Sequence, residues 1–368
     1  MYCWDYYCWN IKYMEEINDI RNEQEFKIIT FSGFKKTEVI RELLNSLIKG
    51  KIESACYWSV DLICSGKYCE LWELILLFYG KYIHLANPKI VLYLDRKFQV
   101  FKNILINGYL GDDLKLRNNV KIRELFSEIM VLLCSSRRKY MLNDIKINKE
   151  DFDITVIRDK FKAPNANYCD SILKENDPKS LTFSVNELAY SITKDIKNLQ
   201  HACYWVEWII QYGKLCDKNK EKCRIEARDY LSDNSKETTN IIWIVWDVLM
   251  QEAKKRDTIT IKMIEGLLSI FSIRYMNTLN AKRRNLLYCA VSFLTEDVDY
   301  KKELMEMKQK EVLTQIVSNI NSIYKQIKTN EVRPNIDNLS NIDNSNLSKT
   351  QQKLATMNEF SDKYVPRL

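Results

Sequence analysis

The feature that most constrains the fold is a repeated tetrapeptide, Ala-Cys-Tyr-Trp, which occurs at residues 55–58 and again at 202–205. Each copy lies in a segment whose apolar residues recur at helical spacing. An amphipathic segment precedes each copy, at 37–48 and 184–193, and a third apolar segment with a central tryptophan follows it. The repeat therefore predicts a helical unit that has been duplicated within one chain.

The rest of the sequence indicates helices as well. Apolar residues follow a helical period along almost the whole chain, and strict alternation over the length of a strand is hardly seen. Only 8 glycines and 5 prolines interrupt 368 residues, which is typical of helices with short connections. We predict an all-α fold, a duplicated helical bundle of two similar units joined by an extended arm, with Gly66 and Gly213 ending the two tetrapeptide helices in the left-handed conformation.

Composition divides the chain into five predicted segments. They are an N-terminal segment (1–36), a first helical unit (37–145), a connecting arm (146–180), a second helical unit (181–328) and a disordered tail (329–368). The arm is polar and contains Pro164 and Pro178, both of which favour irregular structure. The tail is rich in Asn, Ser and Asp and has little apolar surface to bury.

The repeated tryptophans are interpreted as packing residues, with a ligand-binding role as the less favoured alternative. Aromatic side chains at helical spacing usually fill a core, and the neighbouring alanine permits close approach of a second helix. We therefore expect Trp58 and Trp205 to be buried, and replacement of either by alanine to cost about 3–5 kcal/mol.

The cysteines and the hydropathy pattern predict the compartment. Eleven cysteines are an odd number, and several, such as Cys56 and Cys203, lie in apolar runs, so we expect reduced thiols packed as small hydrophobic groups. Residues 1–10 lack the basic start and apolar run of a secretory signal. No segment reaches the roughly 20 apolar residues that cross a bilayer. The sequence thus predicts a protein that is neither secreted nor bound to a membrane.

Catalytic and metal-binding motifs are scarce. There is no glycine-rich phosphate loop, and the two histidines, His84 and His201, give a metal site or a Ser-His-Asp arrangement little to use. The spacing of His201, Cys203, Cys216 and Cys223 differs from the paired Cys-x2-Cys motifs of zinc sites. We expect no cofactor, no metal and no enzymatic activity. A deep polar cleft lined by groups with strongly shifted pKa values would favour an enzyme instead.

Three basic triplets stand out, at 137–139, 254–256 and 282–284. The first two follow predicted helices, where positive charge complements the helix end. The third precedes a helix predicted to begin near Asn285, where positive charge is locally unfavourable, so it points to an acidic partner such as nucleic acid. The predicted nucleic-acid-binding residues are Arg274, Lys282, Arg283 and Arg284. A solvated turn without a partner is the alternative, because the net charge is only +7.

Two further patterns concern partners. An apolar seam with spacings of 3, 4, 3 and 4 is formed by Leu313, Ile316, Ile320, Ile323 and Ile327. It could pair with a second subunit, but two heptads are short for a coiled coil, so packing back onto the chain's own body is favoured. In the tail, Gln351, Leu354 and Met357 match the start of sliding-clamp-binding peptides, but the aromatic pair of such peptides is absent and a chance match is favoured.

The run from 54 to 90, "SACYWSVDLICSGKYCELWELILLFYGKYIHLANPKI", resembles the helical C-terminal region of replication-associated AAA+ ATPases of the RarA/MgsA type, which are relatives of clamp loaders. The matching residues are Ala55, Tyr57, Trp58, Gly66, Leu85, Ala86, Asn87 and Pro88. The resemblance covers about 40 of 368 residues and implies a helical collar that holds subunits together. The chain lacks the ATPase module of that family, so the resemblance implies no ATP hydrolysis.

The whole chain, including "EDFDITVIRDKFKAPN" at 150–165, also resembles uncharacterised helical proteins of giant nucleocytoplasmic DNA viruses. Its Lys-, Ile- and Asn-rich composition is typical of an AT-rich viral genome. The two resemblances imply a non-enzymatic helical scaffold or accessory protein in viral DNA replication or processing, in the host cytoplasm (viral factory) or nucleus. Its expected partners are another protein or a second copy, with nucleic acid as a further candidate. The alternative is a virion structural or assembly protein.

Overall fold

The computed structural model describes residues 16–21, 24–107, 112–139, 145–221, 223–231 and 236–332. These residues form eleven α-helices of ten residues or more and no β-strand, apart from an isolated bridge between Ile29 and Lys35. The prediction of an all-α fold is confirmed.

The helices fall into two consecutive sets. The first half contains α1 (Lys36–Ile48), α2 (Ile52–Cys64), α3 (Tyr68–Phe78), α4 (Ile90–Ile106) and α5 (Val120–Ser135). The second half contains α6 (Thr182–Ser191), α7 (Leu199–Asn219), α8 (Ile242–Ala253), α9 (Thr258–Phe271) and α10 (Asn280–Thr295). A final helix, α11 (Met307–Lys328), follows the second half. Short helices, among them a π-helix over Tyr79–Ile83, join these elements.

Local sequence sets several of the helix ends. Asn119, Asn198 and Asp257 precede α5, α7 and α9, and the side chain of each accepts a hydrogen bond from a backbone N–H of the first turn. Gly66 follows α2 with a φ of +69°, and its N–H donates to the carbonyl of Ile63. Gly66 therefore ends α2 in the left-handed conformation that the sequence predicts.

The two halves repeat one pattern of packing. In each half the first helix contacts the second and third, the second contacts the third and fifth, and the fourth contacts the fifth. The tetrapeptide lies in the second helix of each half, α2 and α7. The order of the helices and these pairings thus agree between the halves, as the predicted duplication requires, whereas close contacts of the third helix with the fourth and fifth are found only in the second half.

The halves meet through equivalent elements and share one apolar core. The fourth helix of each half, α4 or α9, packs against the other. Gly266 of α9 permits this approach, because a Cβ atom there would lie 3.0 Å from Cδ2 of Leu92. The hydroxyl of Ser269 donates to the carboxylate of Asp95 across the same contact, at 2.5 Å.

The prediction for Gly213 is wrong. This glycine lies inside α7, which continues to Asn219 and is followed by Lys220 with a left-handed φ of +58°. The helix continues because residues beyond Gly213 still pack, as the buried side chain of Cys216 shows. A Cβ atom at Gly213 would lie 2.9 Å from Cδ1 of Ile241, so the glycine serves close packing rather than termination.

The prediction of an extended arm is wrong, because the segment contains short helical turns such as Lys149–Phe152 and Arg158–Lys160. It packs closely against the second half. The indole N–H of Trp208 in α7 donates to the backbone oxygen of Asp151 at 2.8 Å. Arg228, which is 4% exposed, pairs with Asp177 of the arm at 2.6 Å and with Asp247 of α8 at 2.5 Å. Hydrogen bonds and ion pairs therefore hold the arm along its length.

Helix α11 returns to the first half, where it packs against α5 and α2. Ile320 and Ile327 of the predicted seam are fully buried there, which confirms that this helix packs back onto its own chain. Past its end, the N–H of Val332 donates to Asp19 and its carbonyl accepts from Ile20, so residues 329–332 are held against the chain near residue 20.

Several predictions fall outside the described residues. They are the remainder of the predicted tail (333–368), including Gln351, Leu354 and Met357, and the opening segment 1–15. Among the helices that are described, none has both the length and the apolar character that a membrane span needs.

Candidate protein-interaction groove

The predicted nucleic-acid-binding residues divide between the surface and the interior. Arg274 and Lys282 are exposed, whereas Arg283 is only 3% exposed. The guanidinium of Arg283 forms an ion pair with Glu73 of α3 and donates to the backbone oxygen of Phe271. The prediction that Arg283 faces a phosphate is therefore wrong, because its charge is used to join the two halves of the protein.

Arg284 is also engaged inside the protein. It is half-buried, and its guanidinium lies 3.3 Å from the carboxylate of Glu207 in α7. The reason is the start of α10, which begins at Asn280 rather than near Asn285. Arg283 and Arg284 consequently lie within the first turns of this helix, where its packed face directs them toward α3 and α7.

Each of the other two basic triplets places an arginine against helix ends, but only the first does so at the helix that it follows. Arg138 follows α5 and donates to the backbone oxygens of Leu133 and Leu47, at 2.8 and 2.7 Å. Arg256 follows α8 but donates to the backbone oxygens of Ile192 and Leu294, at the ends of α6 and α10. Each guanidinium thus satisfies carbonyl groups that a helix end leaves without an internal partner.

The candidate metal ligands are dispersed or buried. Within the described ranges no group of three or more His, Cys, Asp and Glu side chains has a geometry that could hold a metal ion. Burial raises the pKa of the Cys223 thiol to about 12 and lowers the pKa of His201. The His201 ring instead contacts the arm, with Nε2 at 2.9 Å from the backbone oxygen of Lys160.

An open groove of about 500 Å³ lies between α2 and α11 of the first half. Its walls are formed by Glu53, Ser54, Tyr57 and Trp58 of α2 and by Ile316, Asn319, Ser322, Ile323 and Gln326 of α11. The apolar side chains among them are half-buried, whereas Glu53, Asn319 and Gln326 are exposed. We call this feature the α2–α11 groove.

The aromatic side chains of this groove have counterparts in the second half with nearly the same geometry. The rings of Tyr57 and Trp58 lie 5.1 Å apart at 87°, and those of Tyr204 and Trp205 lie 5.2 Å apart at 85°. A phenylalanine meets each tryptophan edge-on: Phe34 in the first half at 5.5 Å and Phe183 in the second at 6.0 Å. The two aromatic sites therefore share one local geometry, although Phe34 precedes α1 and Phe183 lies within α6.

In the second half the arm covers this aromatic site. The ammonium group of Lys160 lies 4.5 Å from the centre of the Tyr204 ring and donates to the Tyr204 hydroxyl at 3.0 Å. The next residue, Phe161, places its ring 6.0 Å from that of Trp205. A lysine followed by an aromatic residue thus occupies the site, and Trp205 is fully buried.

The backbone of the covering segment is also held. The N–H groups of Lys162 and Ala163 donate to the carboxylate of Glu187 in α6, at 2.8 and 3.0 Å. Glu187 is only 3% exposed, so these hydrogen bonds form in a protected environment. The second half therefore shows how a Lys-Phe segment is bound on this type of helix: Lys160 ends a 3-10 turn (Arg158–Lys160), and Phe161 follows in extended backbone.

In the first half, no segment of the described residues covers the equivalent site. Trp58 is half-buried rather than buried, which corrects the expectation that both tryptophans fill a core. Phe34, at the edge of the site, is 45% exposed. The expected cost of 3–5 kcal/mol on replacement by alanine therefore applies to Trp205 and not to Trp58.

A larger groove of about 890 Å³ lies along α4 and α5. Its walls carry charges of both signs, and two of them, Lys97 and Glu128, pair with each other. Within the described residues, no counterpart of this groove with a bound segment is seen. The α2–α11 groove is therefore the better-defined candidate site.

Sequence reasoning missed the groove because it is formed between residues about 260 positions apart. The repeat marked Tyr57 and Trp58 but gave no sign that only the second copy would be covered. One sequence signal could have indicated the aromatic site: Phe34 and Phe183 precede the two tetrapeptides by similar numbers of residues. Comparisons with protein-family models, with curated proteins and with solved structures found no match to this chain.

Proposed function

We propose that the protein is a helical scaffold that binds a short segment of a protein partner in the α2–α11 groove. The observation that carries the proposal is the unequal covering of two equivalent sites. Lys160 and Phe161 fill the site at Tyr204 and Trp205, while the site at Tyr57 and Trp58 is open among the described residues.

The chemistry of the groove indicates what the partner segment carries. An aromatic side chain would stack beside Trp58, as Phe161 does beside Trp205. A lysine before it would lie over the face of Tyr57, where a cation is attracted by the ring. Glu53 lies one helical turn before Tyr57 and would pair with the same ammonium group.

The wider role in the proposal is that of a non-enzymatic accessory protein in viral DNA replication or processing. Its support is the resemblance of residues 54–90 to the collar of replication-associated ATPases, a region that includes Tyr57 and Trp58. The connection between the halves also suits a scaffold, because Glu73 and Arg283 join α3 to α10 in addition to the shared apolar core.

The proposal is tested with a fluorescent peptide of sequence RDKFKAPN, which copies residues 158–165. Fluorescence anisotropy should show saturable binding to the full chain, and Trp58→Ser should abolish it. Tyr190→Ser is the matched control, because Tyr190 is a half-buried aromatic residue in the second half and outside the groove. A peptide with lysine and phenylalanine replaced, RDESKAPN, should not bind.

Hydrogen exchange then locates the bound peptide. Protection should increase at 52–58 and 316–326, the two walls of the groove. Protection confined to 199–206 would mean that the peptide only displaces the arm, and it would contradict the proposal. Equal affinities of the parent and Trp58→Ser would contradict it as well.

A further inference from the structure

The chain itself contains a second segment that is similar to the one covering Tyr204 and Trp205. The sequence Asp-Lys-aromatic occurs only twice, as Asp159-Lys160-Phe161 in the arm and as Asp362-Lys363-Tyr364 near the C-terminus. A proline follows shortly after each, at Pro164 and Pro366, and proline favours extended backbone in the residue before it. The chain thus has two equivalent aromatic sites and two similar segments, of which one is seated on its site.

The described part of the chain ends close to the α2–α11 groove. Gln326 lines the groove, and Val332 follows six residues later, hydrogen-bonded to the chain near residue 20. Twenty-nine residues separate Val332 from Asp362. An extended chain of that length spans up to about 100 Å, so Lys363 and Tyr364 can reach the groove.

The two Asp-Lys-aromatic sequences differ only in the aromatic residue, which is Phe161 in the arm and Tyr364 near the C-terminus. The polar groups of the groove suit the tyrosine. A phenol hydroxyl that leaves water needs a hydrogen-bond partner. Asn319, Ser322 and Gln326 of α11 supply polar groups along the wall that faces Trp58. At the equivalent site in the second half, Phe161 instead meets the rings of Phe183 and Trp205.

We propose that residues 362–364 occupy the α2–α11 groove of the same chain and compete there with the partner segment. This inference rests on the proposed function, because it assigns an internal competitor to the same site. Tyr364 lies beside Trp58, and Lys363 lies over Tyr57 and pairs with Glu53. A partner is then bound only by the fraction of molecules whose groove is free.

The first test is hydrogen exchange of the full chain with Tyr364→Ser. Residues 52–58 and 316–326 should lose protection in this variant. The matched control is Tyr13→Ser, since Tyr13 also follows a lysine, Lys12, but lacks the preceding aspartate. Unchanged protection in Tyr364→Ser, or an equal loss in Tyr13→Ser, would overturn the inference. So would loss of the protection on dilution, which would indicate that the segment comes from a second copy.

The second test measures competition with the RDKFKAPN peptide. If the internal segment fills about nine-tenths of the grooves, Tyr364→Ser should strengthen peptide binding about tenfold, and Tyr13→Ser should leave it unchanged. Peptide binding of equal strength to the parent and Tyr364→Ser overturns only the internal competitor. Failure of the peptide to bind even Tyr364→Ser overturns the proposed function.

Discussion

At the scale of single residues, burial decides what a charged side chain can do. Lys282 and Arg283 are neighbours in a basic triplet, yet Lys282 is exposed and Arg283 is 3% exposed. The Arg283 guanidinium pairs with Glu73, which belongs to the other half of the protein. A change at Arg283 therefore acts on folding before it acts on any ligand.

Replacement of Arg283 by alanine is expected to destabilise the protein by about 3 kcal/mol, because a buried charge pair loses one member. Lys282→Ala should change the free energy of unfolding by less than about 0.5 kcal/mol, as is usual for exposed side chains. Urea denaturation of both variants measures the difference. Equal stabilities would show that the Arg283 ion pair does not join the halves.

The difference in burial between Lys282 and Arg283 also determines which variants can test contact with DNA. A variant with Arg283→Ala would confuse loss of phosphate contacts with loss of folding. Arg274→Ala combined with Lys282→Ala removes the two exposed cations and leaves the ion pairs of Arg283 and Arg284 intact. A phosphate contact at these positions would appear as weaker binding and a shallower salt dependence.

At the scale of helices, the two glycines near the tetrapeptide helices have different roles. Gly66 has a left-handed φ of +69°, and a Cβ atom there would lie 3.2 Å from a carboxylate oxygen of Asp113. Gly213 is in the middle of α7, and the atom nearest its Cβ position is the terminal methyl of Ile241. The sequence places each glycine in a similar context, but only one ends a helix.

Gly66→Ala is expected to lower the free energy of unfolding by about 1 kcal/mol, because alanine disfavours a left-handed φ. Gly213→Ala should cost less, since a flexible methyl group can rotate away and alanine has the higher helix propensity. Thermal unfolding of the two variants tests this order. A larger loss for Gly213→Ala would mean that the contact between α7 and Ile241 cannot adjust.

Helix α11 shows that tertiary packing decides how an apolar seam with coiled-coil spacing is used. Its seam residues are spaced for a coiled coil, but Ile320 and Ile327 are buried against the first half. Ile316 and Ile323 on the neighbouring face are only half-buried and line the α2–α11 groove. One helix thus completes a core with one face and forms a binding surface with another.

At the scale of the whole molecule, the junction between the halves contains a buried histidine. His84 follows the π-helix, is 2% exposed and has a φ of +52°. The turn to which it belongs packs against α10 of the second half. Burial, with the nearby charge of Lys139, lowers the pKa of His84 from 6.5 to about 3, so the ring is neutral in the folded protein.

This histidine predicts how stability depends on pH. Between pH 6.5 and 3 the unfolded chain binds a proton at His84 that the folded protein does not, so stability falls as the pH falls through this range. His84→Asn lacks this pH-dependent contribution. When the pH is lowered from 7.5 to 5, the free energy of unfolding should therefore decrease more in the parent than in His84→Asn. Urea denaturation at the two pH values measures the change. A constant difference would show that His84 is not buried in its neutral form.

The sequence by itself determined the class of fold and its internal duplication. Helical spacing of apolar residues and the scarcity of glycine and proline dictate helices whatever their arrangement, because these effects act within a few residues. The repeated tetrapeptide marked equivalent helices, and the basic residues after α5 and α8 identified helix ends. Each of these conclusions depends on neighbours along the chain, which a sequence displays directly.

Only the tertiary structure decided which equivalent surfaces are covered. Tyr57–Trp58 and Tyr204–Trp205 have the same letters, but the arm closes one site while α11, about 260 residues away, forms the wall of the other. The burial of Arg283 and the path of α7 through Gly213 were settled in the same way, by contacts between distant segments. Solvent exclusion depends on all the elements around a side chain, and the order of residues along the chain does not contain that information locally.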